Sequence, residues 1–123
     1  MHLTFDPDAP PAPTIRFEDF LKVDIRVGTV VACTDFPEAR NPSFKFQIDF
    51  GSALGVKKSC AQLTGLYTPE DLLGQQVLAV VNFPPRQIGP AMSEVLLLGL
   101  ADEQGAIARV GPDRRLPNGT RLA

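Results

Sequence analysis

Apolar and polar positions alternate most regularly between residues 44 and 50. Each apolar residue there is separated from the next by one polar residue, the apolar set being Phe44, Phe46, Ile48 and Phe50. A strand with one face in the core and the other in water has this period of two. The segment therefore predicts a strand that places four apolar side chains in the core.

Runs rich in β-branched residues predict a strand on either side of this one. Residues 24–33 contain several Val and Ile residues, and Gly28 among them is the expected site of a bend or bulge. Residues 55–61 follow a turn region that ends at Gly55. Because the connection is short, residues 44–50 and 55–61 are expected to pair as a hairpin.

Three further apolar runs, at residues 77–81, 95–98 and 106–110, predict the remaining strands. The first two are continuously apolar, which is typical of buried strands. Prolines and other turn residues predict loops over residues 34–43 and 83–92.

Two short helices are predicted. Residues 17–23 place Phe17, Phe20 and Leu21 on one stripe, which must cover the open end of a sheet or a partner chain because so short a helix is unstable alone. A second helix begins after Thr68, with Pro69 in its first turn and Glu70 and Asp71 as cap charges, and ends at Gly74.

The order of elements is one helix, three strands, a second helix and two or three more strands. This count favours a small barrel over a sandwich, which usually needs about seven strands. We expect an all-β fold: a five-stranded oligonucleotide/oligosaccharide-binding (OB) barrel with short flanking helices, formed by residues 15–123. Residues 1–14 are expected to form a Pro-rich, extended and poorly ordered leader.

Composition limits the function. The 123 residues carry a formal net charge of −2 and fit one domain. Neither a secretory signal nor an apolar run long enough to span a membrane is recognisable, which predicts a cytoplasmic protein without membrane insertion. Cys33 and Cys60 are interpreted as reduced core thiols, and His2 is the only histidine. We therefore expect no enzyme activity, no metal site and no cofactor.

Four basic residues are candidates for ligand binding: Lys45, Lys57, Lys58 and Arg86. Pairing of the two hairpin strands would bring Lys45 close to one of the other two lysines and form a basic patch. The alternative is an ordinary solvated sheet face. The acidic net charge argues against strong non-specific binding of nucleic acid.

The segment Asn82-Phe83-Pro84-Pro85-Arg86 predicts a stiff ledge that presents a ring, an amide and a guanidinium to an extended peptide or a nucleotide. Its alternative is a rigid turn. Phe36, Tyr67 and Phe83 are loop aromatics that could stack on a ligand or pack locally.

Two polar pairs have both structural and functional interpretations. Ser93 and Glu94 precede a buried strand, where they either tie the loop to backbone amides or contact a ligand in the groove. Asp24 and Arg26 are interpreted as an ion pair at the barrel mouth.

Seven motifs in order resemble those of the tRNA-binding domain that occurs in the endothelial-monocyte-activating-polypeptide family and in some aminoacyl-tRNA synthetases: residues 23–28 (VDIRVG), 36–40 (FPEAR), 47–51 (QIDFG), 67–70 (YTPE), 79–86 (AVVNFPPR), 93–96 (SEVL) and 117–120 (PNGT). The CsaA-like secretion chaperones form the branch that this chain resembles most. Pro42-Ser43-Phe44 stands where the broader family carries a charged pair, and Val95 stands in place of a Gly. Both departures follow that branch and argue against tight tRNA binding.

The resemblance implies a homodimer that binds unfolded peptides or preproteins, with possible contact to the export machinery; the alternative is a structure-selective tRNA-binding protein. The ligand groove is expected at the ledge. The candidate peptide or tRNA contacts, taken from the basic residues, the ledge and the polar pair, are Lys45, Lys57, Lys58, Asn82, Phe83, Pro85, Arg86, Ser93 and Glu94. Because the apolar stripe of the first helix needs a cover, the expected dimer interface contains Phe17, Phe20 and Leu21.

Overall fold

A computed structural model describes residues 3–123, so His2 lies outside the described residues. The helices are α1 (Phe17–Leu21) and α2 (Pro69–Leu72). The strands, in chain order, are β1 (Ile25–Asp35), β2 (Phe44–Asp49), β3 (Val56–Ala61), β4 (Gln76–Val80), β5 (Arg86–Ile88), β6 (Ala91–Ser93), β7 (Leu96–Leu97), β8 (Gly99–Ala101) and β9 (Ile107–Arg109).

Five strands form one antiparallel sheet in the order β3-β2-β1-β4-β7. The two edges of this sheet approach each other. Glu94 N–H donates to the Lys58 carbonyl (2.8 Å) and the Ser59 hydroxyl donates to the Val95 carbonyl (2.9 Å). The sheet is thereby a nearly closed barrel, and the predicted OB-fold barrel with short helices is confirmed.

The alternation in β2 is confirmed by burial. Its apolar residues and the adjoining Phe50 are buried, whereas Lys45 and Gln47 are exposed. β2 also pairs with β3 as predicted, with Ile48 opposite Lys57 and Gln47 opposite Lys58. The hairpin register decides which lysines share a face of the sheet.

The bulge in β1 lies at Val31, so its prediction at Gly28 was wrong. Pairing with β2 shifts register between Val30 and Ala32, which leaves Val31 exposed on the bent strand. Gly28 is needed for space instead: a Cβ there would lie 2.5 Å from Ile48 Cγ2 and 2.8 Å from the Phe50 ring.

The prediction of a loop over residues 83–92 was also wrong, because β5 and β6 form a hairpin there. Arg86 lies opposite Ser93 and Ile88 opposite Ala91, with Gly89 and Pro90 in the connection. Gly89 has a φ of +54°, a conformation that glycine adopts without strain. The prolines next to these short strands obscured the two-residue connection that identifies a hairpin.

Local signals set both ends of α2. The Thr68 hydroxyl accepts a hydrogen bond from Asp71 N–H, and the Asp71 carboxylate accepts one from Thr68 N–H, which makes a capping box. Gly74 follows with a φ of +83°. The predicted cap charges are confirmed, whereas α1 ends at Leu21, two residues before the predicted end at Val23.

The C-terminal segment closes the barrel mouth against β1. Gly119 N–H donates to the Val27 carbonyl (2.8 Å), and Val27 N–H donates to the Thr120 carbonyl (2.9 Å).

Asp24 accepts two hydrogen bonds from the Arg26 guanidinium, at 2.6 and 3.1 Å. The expected ion pair is confirmed, and this hydrogen bonding holds the pKa of Asp24 below its usual value despite the opposing effect of burial. Within residues 3–123, neither helix has the length and apolar character needed to cross a membrane.

Candidate functional site

The ledge, residues 83–86, projects from the barrel where β4 ends. Asn82 anchors its base: Asp24 N–H donates to Asn82 Oδ1 (3.0 Å), and Asn82 Nδ2 donates to the Lys22 carbonyl (2.7 Å). Both ends of the amide are therefore used to join β4 to the segment after α1. The structure assigns Asn82 to the scaffold, and the ledge begins at Phe83, which is 50% exposed.

A cleft of about 470 Å³ lies between the ledge and the segment that follows β6. Ile88, Val95 and Leu96 supply apolar lining. Phe83, Pro84 and Arg86 form the ledge side, with Ser93 and Glu94 opposite. Pro85 is exposed on the ledge but is not among the residues that line this ledge cleft.

Ser93 and Glu94 line the ledge cleft, and the side chain of each already accepts a hydrogen bond from the backbone of β3. Ser93 Oγ accepts a hydrogen bond from Cys60 N–H (3.2 Å) and donates to the Val95 carbonyl (3.2 Å). Glu94 Oε1 accepts one from Lys58 N–H (2.9 Å). Of the two roles considered from the sequence, the structure shows the bonds of the first: both side chains tie the loop to backbone amides of β3.

The hairpin register places one of the two lysines of β3 on the same face as Lys45, as the basic-patch prediction required. Lys45 and Lys58 lie on the same face of the hairpin, because Lys45 is opposite Cys60 and Gln47 is opposite Lys58. Both lysines line a depression of about 480 Å³, the basic groove, beside the β5–β6 hairpin. Lys57 lies on the other face of β3, opposite the buried Ile48, and does not line this groove.

Lys45 also contacts an aromatic ring. Its Nζ lies 5.3 Å from the centroid of Phe36, within the range of a cation–π interaction. Within residues 3–123, no carboxylate oxygen lies within 4.0 Å of the charged nitrogens of Lys45, Lys58 or Arg86. These three cations remain available to an anionic ligand.

Arg40 is a site candidate that the sequence interpretation missed. It lines a third depression, of about 490 Å³, together with Arg86, Ser43 and Gln62. Its position within the FPEAR motif could have marked Arg40 as a site candidate. However, only the fold shows that the loop after β1 approaches β5. Arg86 lines both this depression and the ledge cleft.

The three loop aromatics divide between core and surface. Phe36 is 2% exposed and belongs to the core, so its suggested stacking role is excluded. Tyr67 packs against the core, and its hydroxyl oxygen accepts a hydrogen bond from Arg109 N–H (3.1 Å). Of these three, Phe83 is the ring that faces solvent.

The two cysteines are free thiols. Cys60 is buried on the face of β3 that carries Lys58, and it borders both the ledge cleft and the basic groove. Burial raises its pKa, and the nearby Lys45 opposes that rise. Burial, with Asp35 and Glu70, raises the pKa of Cys33 to about 11. Among the described residues, no three His, Cys, Asp or Glu side chains are grouped as metal ligands.

The expected interface residues lie on α1. Phe17 is 69% exposed and Leu21 is also exposed, whereas Phe20 is half-buried. The rings of Phe17 and Phe20 are 6.4 Å apart. The Arg121 guanidinium donates to the Leu21 carbonyl (2.8 Å) and so ties the C-terminal segment to this helix.

Comparison with known proteins agrees with this architecture. The family model described as "Putative tRNA binding domain" matches residues 25–121. The crystal structure of the chaperone CsaA from Bacillus anthracis is 50% identical, with a TM-score of 0.84 over 90% of this chain and 100% of that one. This chain belongs to the tRNA-binding domain family, in its CsaA-like branch. The CsaA chaperone protein of Picrophilus torridus is 43% identical, with a TM-score of 0.83 over 89% of this chain and 100% of that one.

The family also includes parts of much larger proteins. The methionine–tRNA ligase of Porphyromonas gingivalis is 39% identical over 114 residues, which are 93% of this chain but 16% of the ligase. The chain thus spans less than a fifth of that relative's length, and the match concerns one domain of the ligase.

Several motif residues of the CsaA-like branch serve the scaffold. In the PNGT motif, Asn118 Oδ1 accepts hydrogen bonds from the Thr29 hydroxyl (2.8 Å) and from Gln76 Nε2 (3.1 Å). Thr29 and Gln76 are both buried. Asn82, Ser93 and Glu94 are used in a similar way. The surface left for a ligand includes the ledge, its cleft, the cations Lys45, Lys58 and Arg86, and Arg40 in the third depression.

Proposed function

We propose that this protein is a non-enzymatic, chaperone-like protein that binds unfolded peptides or preproteins in the ledge cleft. The observation that carries the proposal is the cleft itself, where a Pro-stiffened ledge exposes Phe83 above an apolar lining of Ile88, Val95 and Leu96. Two prolines fix the backbone in advance, so little conformational entropy is lost when a ligand binds. The 50% identity to a chaperone CsaA over the whole of that chain supports the same conclusion.

The ledge side of the cleft, where Arg86 lies, suits extended segments that combine apolar residues with an acidic one, whereas Glu94 on the opposite side is itself anionic. Arg86 borders the apolar lining and has no carboxylate partner among the described residues. An apolar side chain would enter the cleft while a carboxylate or a backbone carbonyl pairs with the guanidinium.

The second candidate function is structure-selective binding of tRNA. It is favoured by the basic groove, where Lys45 and Lys58 lie without carboxylate partners among the described residues, and by the family to which the chain belongs. The net charge of −2 works against it, because affinity for nucleic acid depends on neutralising phosphates. We therefore rank it second.

The proposal extends to the protein's partners and place of action. We propose a homodimer that meets preproteins in the cytoplasm before export, without cofactor or metal, and passes them to the export machinery. The exposed apolar side chains of α1 support dimerisation, since an unpaired apolar patch on a small barrel favours self-association.

The peptide proposal is tested by titration with reduced, carboxymethylated α-lactalbumin, a permanently unfolded polypeptide. Phe83→Ala should weaken binding about 5- to 20-fold through the loss of buried apolar area. Leu73→Ala is the matched control, because Leu73 is similarly exposed at 53% and does not line the cleft. Binding that is unchanged in Phe83→Ala would refute the assignment, provided that thermal melts show both variants folded.

The tRNA candidate is tested by the salt dependence of binding to bulk tRNA. If the basic groove holds phosphates, Lys58→Ala should lower the affinity and flatten the slope of log K against log salt by about 0.7 to 0.9. Lys57→Ala is the control, since Lys57 lies on the opposite face of β3 from Lys58. Equal effects of the two substitutions would show that tRNA does not use this groove.

A further inference from the structure

The leader of this chain reaches the ledge cleft. Leu3 is one of the residues that line the cleft, together with Phe83, Pro84, Arg86 and Leu96. The family model matches only from residue 25, so residues 3–5 lie outside the region that it matches. An apolar side chain from the protein itself therefore occupies part of the surface proposed for ligands.

The leader carries its own turn, which returns its first residues toward the barrel. Ala9 N–H donates to the Asp6 carbonyl (3.0 Å), and Asp8 N–H donates to Asp6 Oδ1 (2.9 Å). Pro7 stands at the second position of this turn, where its fixed φ is favoured. The turn separates residues 3–5 from the Pro-rich stretch that leads to α1.

The geometry of the scaffold places the cleft within reach of the leader. The carbonyl of Lys22, just after α1, accepts a hydrogen bond from Asn82 at 2.7 Å. The ledge begins at Phe83, the residue that follows Asn82. An extended chain spans roughly 3.3 Å per residue, so the residues before α1 are long enough to pass the ledge. A tether of this length gives an effective concentration on the order of millimolar, at which weak contacts form.

Charge is complementary as well. Residues 3–14 contain two carboxylates, Asp6 and Asp8, and no Lys or Arg. The ledge side of the cleft carries Arg86, opposite the anionic Glu94, and the adjoining basic groove carries Lys45 and Lys58. The leader thus combines an apolar side chain with carboxylates that suit the Arg86 side of the cleft and the basic groove.

We propose that the leader docks in the ledge cleft of its own chain through Leu3 and competes there with the unfolded polypeptide. The competition rests on the proposed function, whereas the docking does not. Leu3 remains 69% exposed, so the leader covers the cleft only partly and a longer ligand displaces it. The leader is an internal competitor that sets the affinity at which a polypeptide is accepted.

The docking is tested on the full chain by amide ¹H–¹⁵N spectra of the wild type, Leu3→Asp and Phe5→Asp. Phe5 is the matched control: it belongs to the same leader, is 81% exposed, and is not among the residues that line the cleft. Leu3→Asp should shift the amides of Phe83, Arg86 and Leu96, and Phe5→Asp should leave them in place. Identical shifts in all three proteins would overturn the proposal.

The competition is tested by titrating the same three proteins with reduced, carboxymethylated α-lactalbumin. A cleft that is free only part of the time has its apparent affinity reduced by that fraction, so Leu3→Asp should bind about 3- to 10-fold more tightly, and Phe5→Asp within about twofold of the wild type. Shifted amides with unchanged affinity would refute the competition and leave the docking standing.

Two other results separate this proposal from its alternatives. Docking within one chain is independent of protein concentration; shifts that vanish on dilution would place the leader in the cleft of a second copy and overturn docking in cis. Weaker binding in Phe83→Ala together with unchanged amide shifts in Leu3→Asp would sustain the proposed function and refute the leader's role.

Discussion

Single residues decide how closely a strand of this barrel approaches the core side chains beneath it. Gly28 lies in β1 directly over Ile48 and Phe50, and a Cβ at this position would come within 2.8 Å of the Phe50 ring. Because protein cores are close-packed, such an overlap forces side chains off their rotamers or moves the strand. The family motif VDIRVG thus ends in glycine for packing and not for a bulge.

Gly28→Ala should destabilise the protein by about 1–3 kcal/mol through this overpacking. The free energy of unfolding in urea measures the effect. Gly55→Ala is an informative comparison, because nothing lies within 4 Å of a Cβ at Gly55 and its cost comes from a φ of +73° alone. A stable Gly28→Ala variant would show that β1 can move away from the Phe50 ring.

The thiols give a prediction on pH. A thiolate is the reactive form, and burial together with Asp35 and Glu70 raises the pKa of Cys33 to about 11. Cys33 of the folded protein should therefore react slowly with a disulfide reagent at pH 8, and its rate should keep rising with pH up to about 11. In the folded Cys60→Ser variant, Cys33 is the remaining thiol, so the measured reaction rate belongs to Cys33 alone. A rate that levels off near pH 9 would contradict the buried environment assigned to Cys33.

At the scale of elements, the alternation of β2 and the capping signals of α2 were predictable because each depends on neighbours in the sequence. The β5–β6 hairpin was missed because strands of three residues carry too little periodicity. The hydrogen bonds that several candidate ligand contacts make within the fold were not predictable, for a related reason. Asn82 bonds to Lys22 and Ser93 to Cys60, and contacts between residues so far apart in sequence appear only in the fold.

The contact between Glu94 and Lys58, which closes the barrel, also joins residues far apart in sequence and can be tested. Glu94 Oε1 accepts a hydrogen bond from Lys58 N–H, and Glu94 N–H donates to the Lys58 carbonyl, so that the side chain replaces a strand carbonyl. Glu94→Ala should lower stability by about 1 kcal/mol and speed hydrogen exchange at the Lys58 amide. Glu94→Gln keeps an acceptor oxygen and should preserve most of that protection. Fast exchange in both variants would mean that the negative charge is required.

At the scale of the whole molecule, the proposed binding surfaces border the β5–β6 hairpin, and α1 lies at the barrel mouth with Phe17 and Leu21 exposed. The ledge cleft and the basic groove both border Cys60. A polypeptide in the first and a polyanion in the second would therefore be neighbours on the surface. Asn82, bonded to Lys22 after α1, links this surface mechanically to the proposed dimer helix.

The dimer is the last prediction and concerns this exposed face. Phe17 and Leu21 are apolar and exposed on α1, and a second copy would remove them from water. Sedimentation equilibrium at micromolar concentration should give twice the chain mass of 13.3 kDa.

Phe17→Asp should reduce that mass to the monomer value, because a carboxylate would be buried without a partner in the interface. Phe17 is 69% exposed in the single chain, so the variant should keep its fold and its thermal melt should remain cooperative. Leu100→Asp is the control, since Leu100 is similarly exposed at 66% on β8 and should leave the dimer intact. A wild-type monomer at this concentration, or a dimer that survives Phe17→Asp, would contradict the proposed interface.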